Sequence, residues 1–301
     1  MNTPVPAAAL PVGTLSPQVR ALTLDGGDGV ALSALIAEPA GHPPRATIVA
    51  VHGGGMRAGY FDGQAHPDVS LLTLGARLGY TVVAVDRPGY GLSAGSLPQG
   101  QTLADQAASL RTALADLRDR RPTGAGVFLL AHSYGGKLAL TCAADPLGAP
   151  LLGLDISGCG HRYAVDPAGL PDTHRNGRWA LNWGRLRFYP PNTFRDSAHL
   201  IAPVPDLEWP EAVRWPRRFD ELAGRIRVPV RLTFAEYEKY WRHDAESLAD
   251  LTARFTSAPR VTVDRLDETG HNISLSRSAR TYHLRALAFL EECVARAAGA
   301  G

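Results

Sequence analysis

The sequence predicts an α/β fold: a mostly parallel sheet of about eight strands, helices on both faces, and a cap inserted after the sixth strand. Three observations predict it. Residues 46–51, 81–85, 127–131 and 151–156 are nearly continuous apolar runs of strand length, the pattern of strands buried on both faces. Helix-forming stretches at 69–78, 103–117 and 137–144 lie between them, and such alternation closes into a parallel sheet through right-handed crossovers. The alternation stops after residue 156 and resumes at 228, which marks an insertion.

The elements follow in order along 301 residues, of which 45% are hydrophobic and 20% charged, enough for one large domain or for one domain carrying an inserted lid. Residues 1–17 are rich in Pro and Ala and read as a flexible arm; they lack the basic start and continuous apolar core of an export signal. Residues 20–24 and 30–38 alternate in polarity around Asp25-Gly26-Gly27-Asp28-Gly29, which predicts an antiparallel hairpin at a sheet edge. The core is assigned to 18–157 and 225–301, its second part contributing a strand at 228–234, a helix at 245–255, a strand at 261–266 and a closing helix at 278–298. Residues 158–224 carry Trp179, Trp183, Trp209, Trp215, Phe188, Tyr189 and many prolines without a clear period. They read as a cap over the carboxyl ends of the strands, where parallel sheets bind ligands.

Composition excludes several classes. Lys and Arg number 31 against 29 Asp and Glu, and this near balance does not call for nucleic acid. The three cysteines, Cys142, Cys159 and Cys293, have neither CxxC spacing nor an even count, so neither a disulfide frame nor a zinc site is expected. No stretch approaches the roughly 20 apolar residues that cross a bilayer. The expectation is a cytoplasmic protein without a membrane partner; the oligomeric state is not legible.

The chemistry centres on Ser133. Val127 to Ala131 runs as a strand, His132-Ser133-Tyr134-Gly135-Gly136 breaks it, and Lys137 to Ala144 resumes as a helix. A strained strand-to-helix turn needs small neighbours and aims a hydroxyl and the following N–H into one cavity. Ala131 stands where G-x-S-x-G has its first glycine, one methyl more than the pattern. With Ser133 come His52-Gly53-Gly54-Gly55 after the third strand, Asp86-Arg87-Pro88-Gly89-Tyr90-Gly91-Leu92-Ser93 after the fourth, and Gly270-His271-Asn272 after the last.

Four such motifs in this order resemble the α/β-hydrolase family across nearly the whole chain from Arg20 onward. The resemblance implies a serine hydrolase with an inserted cap, acting on an ester or thioester through an acyl-enzyme. It implies Ser133 as nucleophile, His271 as base, and an acid a few residues beyond the strand at 230–234. Strand-end alignment favours Glu238, with Glu236 and Asp155 as alternatives. The expected oxyanion donors are the N–H groups of Gly54, Gly55 and Tyr134. His132 is expected to pack beneath the turn, His52 to brace its loop, and the Asp86–Gly91 stretch to tie a loop down. Arg175, Arg178, Arg185 and Arg187 in the cap are candidates for an anionic or carrier-bound acyl substrate, against the plainer expectation of solvated charges. No metal or organic cofactor is required. Alternatives on the same residues are an acyl-transferring cyclase and a C–C bond hydrolase; a third is a non-catalytic binding protein on the same scaffold.

Overall fold

The computed structural model describes residues 14–170 and 179–299. Eight strands form one sheet: β1 (Arg20–Asp25), β2 (Ala31–Ala37), β3 (Thr47–Val51), β4 (Thr81–Val85), β5 (Val127–His132), β6 (Leu151–Ser157), β7 (Val230–Ala235) and β8 (Val261–Leu266). Their order is β1-β2-β4-β3-β5-β6-β7-β8, with β1 antiparallel to β2, β2 antiparallel to β4, and every other pair parallel. Every residue of β3, β4, β5 and β7 is buried; in β3, β4 and β5 nearly continuous apolar runs account for this, while β7 also buries Arg231 and Thr233.

The order of strands locates the site. From β3 the chain steps outward to β4, then returns to lay β5 on the other side of β3, so the direction of winding reverses between β3 and β5. The crevice at the carboxyl end of such a pair is where open parallel sheets bind ligands. In register Val51 faces Ala131, which brings the glycines after β3 level with Ser133 after β5.

Helices α1 (Leu71–Arg77) and α8 (Ala279–Ala298) cover one face; α2 (Leu103–Arg120) and α3 (Tyr134–Ala143) cover the other. Local chemistry sets where they begin. Ser70 accepts from Thr73 N at 3.1 Å at the start of α1, and Thr102 accepts from Asp105 N at 3.2 Å at the start of α2; caps of this kind contribute about 1 kcal/mol each. Helix α7 (Ala245–Ala253) starts the same way on Asp244, which accepts from Ser247 N at 2.9 Å.

Between β6 and β7 lie α4 (Trp179–Asn182), α5 (Thr193–Asp196) and the 16-residue α6 (Glu208–Ala223). This corrects the expectation of a segment without period. Buried Glu208, Ala212, Trp215, Phe219, Leu222 and Ala223 recur at helical spacing, but Pro210 and Pro216 interrupt the pattern. Pro210 sits in the first turn, where its missing N–H has no helical partner to lose; Pro216 is inside and removes one bond. Packing overrides that loss: Trp215 and Phe219 are buried, Phe219 meets Phe255 edge-on at 5.5 Å, and each such side chain contributes about 2–3 kcal/mol.

Backbone bonds hold the inserted segment across the carboxyl ends of the strands. Ala202 N donates to Gly55 O after β3 at 3.0 Å, and Leu207 N to Gln99 O at 3.0 Å. Arg242 N, after β7, donates to Arg162 O at 3.0 Å, and Asn272 N, after β8, to Asn182 O at 3.2 Å. Of the 1–17 arm only residues 14–17 are described, and Arg175 and Arg178 lie outside the described residues. No helix among the described residues is long and apolar enough to cross a membrane.

Candidate active site

The turn after β5 holds Ser133 at φ 53° and ψ −116°, a left-handed-side conformation that a non-glycine residue adopts at a cost of about 1–3 kcal/mol. Its own backbone fixes it: Ser133 N donates to Ser157 O of β6 at 2.8 Å, and Gly136 N donates to Ser133 O at 2.9 Å. The small neighbours have a steric reason. A Cβ on Gly135 would lie 2.3 Å from Val51 O and 2.6 Å from His52 O, because α3 starts in contact with the backbone of β3. Ala131 is fully buried, and its methyl fits where the pattern has glycine.

Three side chains from separate loops form one hydrogen-bonded chain. His271 Nε2 lies 2.9 Å from Ser133 Oγ, and His271 Nδ1 lies 2.8 Å from Glu238 Oε2. An ionised carboxylate only accepts, so the imidazole proton is on Nδ1 and Nε2 is free to take the serine proton. The second carboxylate oxygen, Glu238 Oε1, accepts from Lys239 N at 3.0 Å and Tyr240 N at 2.9 Å. Burial works to raise the Glu238 pKa, but the His271 imidazole and the Tyr240 N–H outweigh it and hold the carboxyl below its ordinary value. Ser133 remains partly exposed, whereas His271 and Glu238 are buried.

The other candidate acids are engaged elsewhere. Glu236 Oε2 accepts from Glu268 N at 2.9 Å and ties two loops together. Asp155, completely buried within β6, pairs with Arg231 and accepts from Tyr282 Oη at 2.8 Å. His132 packs beneath the turn as expected: it stacks on Tyr60 at 4.9 Å and its Nδ1 lies 3.1 Å from Ser157 Oγ. His52 braces its loop, with Nδ1 2.8 Å from Gly53 O while Nε2 accepts from Arg87 N at 3.0 Å. Burial first, then the Arg87 charge, pushes the His52 pKa well down and keeps the ring neutral.

The expected oxyanion donors divide. Tyr134 N is the first amide of α3, one of the N–H groups a helix leaves unpaired at its start. Gly54 stands opposite, where a Cβ would lie 4.0 Å from Tyr134 Cβ. Gly55 is a correction: its N–H donates to Tyr90 Oη at 3.1 Å, so it is engaged in holding the loop. Its φ of +72° turns the loop toward Ala202 and Val204 of the inserted segment.

The Asp86–Gly91 stretch does tie down a loop, through Asp86, which accepts from Ser33 Oγ and Ala58 N at 2.7 Å each. It also does more than sequence reasoning assigned it. Arg87 is enclosed completely and pairs with Glu208 at the start of α6. The Arg-Pro-Gly motif was a visible signal; its partner, 121 positions away, had none. Lys137 was also missed: it is buried, with the Trp241 ring 4.8 Å and the Trp215 and Tyr134 rings 5.6 Å from Nζ. Arg185 lies over the Tyr237 ring at 5.1 Å, and Arg187 pairs with Glu268 at 3.3 Å, both at the surface. Among the described residues no group of three or more His, Cys, Asp or Glu is placed to hold a metal ion.

The sequence has no match among curated proteins. Solved structures share the fold at low identity. A carboxyl esterase from Bacillus coagulans superposes with a TM-score of 0.69 at 16% identity, over 93% of this chain and 100% of the other. A bacterial membrane phospholipase A gives 0.65 at 19%, covering 92% and 87%. The thioesterase domain from the curacin biosynthetic pathway gives 0.62 at 17%, covering 88% and 98%. The sequence profile of the alpha/beta hydrolase family matches residues 48–284, and with this span of the sheet and all four motifs inside it, the chain belongs to that family.

Proposed function

We propose that this hydrolase is a serine enzyme that cleaves an ester or thioester through an acyl-enzyme. The observation that carries the reading is the continuous chain from Ser133 Oγ through His271 to the ionised Glu238, with contacts of 2.9 and 2.8 Å. A serine hydroxyl is a weak nucleophile until a base takes its proton, and an imidazole is a reliable base only when its tautomer is held. Glu238 holds it. As Oγ attacks the carbonyl carbon, the proton passes to His271 Nε2, and the N–H groups of Gly54 and Tyr134 receive the charge that grows on the carbonyl oxygen. Each such donor lowers the barrier by about 3–4 kcal/mol. His271 then protonates the leaving alcohol or thiol, and a water deprotonated by the same imidazole releases the acid. The segment 158–224 acts as the cap that walls the acyl site.

The test is covalent. A fluorophosphonate probe labels the native protein at Ser133, and the label disappears in Ser133→Ala; an unlabelled native protein overturns the reading in favour of a binding role. A panel of p-nitrophenyl esters of increasing acyl length, run beside acyl-thioesters, then fixes chain length and leaving group. Product analysis separates hydrolysis, which adds water, from cyclisation, which does not, and from cleavage beside a ketone.

A further inference from the structure

Arg87 makes an unusually complete set of bonds for a charge with no exposed side-chain surface. Its Nε donates to His52 O at 3.0 Å, Nη2 to Gly53 O at 3.2 Å, and Nη1 to Gln106 Oε1 at 2.9 Å. Both Nη atoms also pair with the Glu208 carboxylate, Nη2 meeting Oε2 at 3.1 Å. Glu208 is the first residue of α6, so the acceptor comes from the inserted segment and the loop it serves comes from the core. The same Oε2 accepts from Tyr90 Oη at 3.1 Å, and that oxygen in turn accepts the Gly55 N–H at 3.1 Å. One carboxylate therefore closes two circuits around the loop after β3: through Arg87 to the carbonyls of His52 and Gly53, and through Tyr90 to the amide of Gly55. Gly54 lies between the two, and a Cβ there would be 3.7 Å from Glu208 Oε2.

We propose that Glu208 and Tyr90 are positioning residues that set the direction of the Gly54 N–H, so that the oxyanion site is complete only while the start of α6 is docked on Arg87. The inference rests on the serine-enzyme reading above. The physical reason is that a peptide N–H points where its flanking carbonyl and amide bonds hold it, and here those bonds end on a side chain from the inserted segment. Arg87 has a second effect. A lone carboxylate this close to Gly54 would oppose negative charge on the reacting oxygen, and the guanidinium cancels it. The inserted segment is thus part of the catalytic apparatus, with the start of α6 bonded to the loop that carries Gly54.

The experiment compares Tyr90→Phe and Glu208→Gln with the native protein. Tyr90→Phe keeps the ring and removes only the hydroxyl that joins Gly55 to Glu208, so it reports even where Glu208→Gln fails to fold. Rates are normalised to sites labelled by the fluorophosphonate probe, and two quantities are read: kcat against KM, and the affinity of an alkyl boronic acid, whose tetrahedral adduct occupies the oxyanion site. We expect kcat and boronic-acid affinity to fall together by about tenfold to a hundredfold with KM within a factor of about three, the pattern of a displaced donor. A merely structural role lowers the thermal midpoint and the labelled fraction but leaves both quantities unchanged per labelled site, and that result overturns the proposal. An unlabelled native protein overturns the serine reading itself, a distinct failure.

Discussion

Replacing Glu238 by Gln tests the site through hydrogen-bond direction alone, since shape and volume are kept. Glu238 Oε1 is held by two backbone donors, Lys239 N and Tyr240 N, at 3.0 and 2.9 Å. A glutamine must leave its carbonyl oxygen there, because its NH2 group would otherwise face two N–H groups. The NH2 then occupies the Oε2 position, 2.8 Å from His271 Nδ1, and donates to it. That forces the imidazole proton to Nε2, which now points a hydrogen at Ser133 Oγ and cannot accept one. A wrong tautomer of this kind lowers kcat about 10⁴-fold, close to 5–6 kcal/mol of barrier. Glu236 accepts a single N–H, from Glu268 at 2.9 Å, which a glutamine carbonyl replaces without loss, so Glu236→Gln should stay within about twofold by the same reasoning. The assay is kcat/KM on the best p-nitrophenyl ester, normalised to folded protein. Glu238→Gln retaining more than a tenth of native activity, or Glu236→Gln matching its loss, would refute the argument.

Three further outcomes follow from the same contacts. Gly135→Ala places a methyl against the carbonyls of Val51 and His52 at 2.3 and 2.6 Å, and neither backbone can retreat, so stability should fall by about 3 kcal/mol or more, read by urea unfolding. Asp155→Asn removes one of the two carboxylates that pair with the buried Arg231, leaving Asp264 at 2.6 Å, and should lower stability by about 1–3 kcal/mol while leaving turnover per labelled site within a factor of about three; a large loss of turnover would return Asp155 to the candidate acids. His283, buried, with Nε2 3.0 Å from Ser274 Oγ, has its pKa pushed down by burial to about 3. The unfolded chain takes up that proton near pH 6.5 and the folded chain does not until about 3, so its contribution is complete above pH 6.5 and is lost as pH falls through that window. At pH 5 the loss is about 2 kcal/mol from this residue, and urea midpoints at pH 5 and 7.5 should show a smaller drop in His283→Gln than in the native protein.

The sheet was legible because its signal is local: four or more apolar residues in a row, as in Val82–Val85, can be buried on both faces and little else. The turn at Ser133 was legible for the same reason, since a tight turn restricts its own neighbours, whereas His271 was read from its place after the last strand in the order of motifs that the resemblance supplies. Glu238 was the favoured acid, and what separates it from Glu236 is which carboxylate the loop after β7 buries, a matter of contacts with residues 33 positions away. Helix α6 was hidden by Pro210 and Pro216, whose local meaning is a break; only burial of Trp215 and Phe219 against the core explains a helix through them. The Arg87–Glu208 pair and the use of the Gly55 amide by Tyr90 depend on how the inserted segment returns over the sheet, and no spacing encodes that.

The stack beneath Ser133 sets one more condition on the reaction. His132 and His271 have their rings 4.7 Å apart, so a positive charge on one would resist the arrival of a proton on the other. Burial first, and the neighbouring His271 second, press the His132 pKa far down. The inner ring therefore stays neutral through the neutral range and puts no fixed charge beside the ring that touches Ser133.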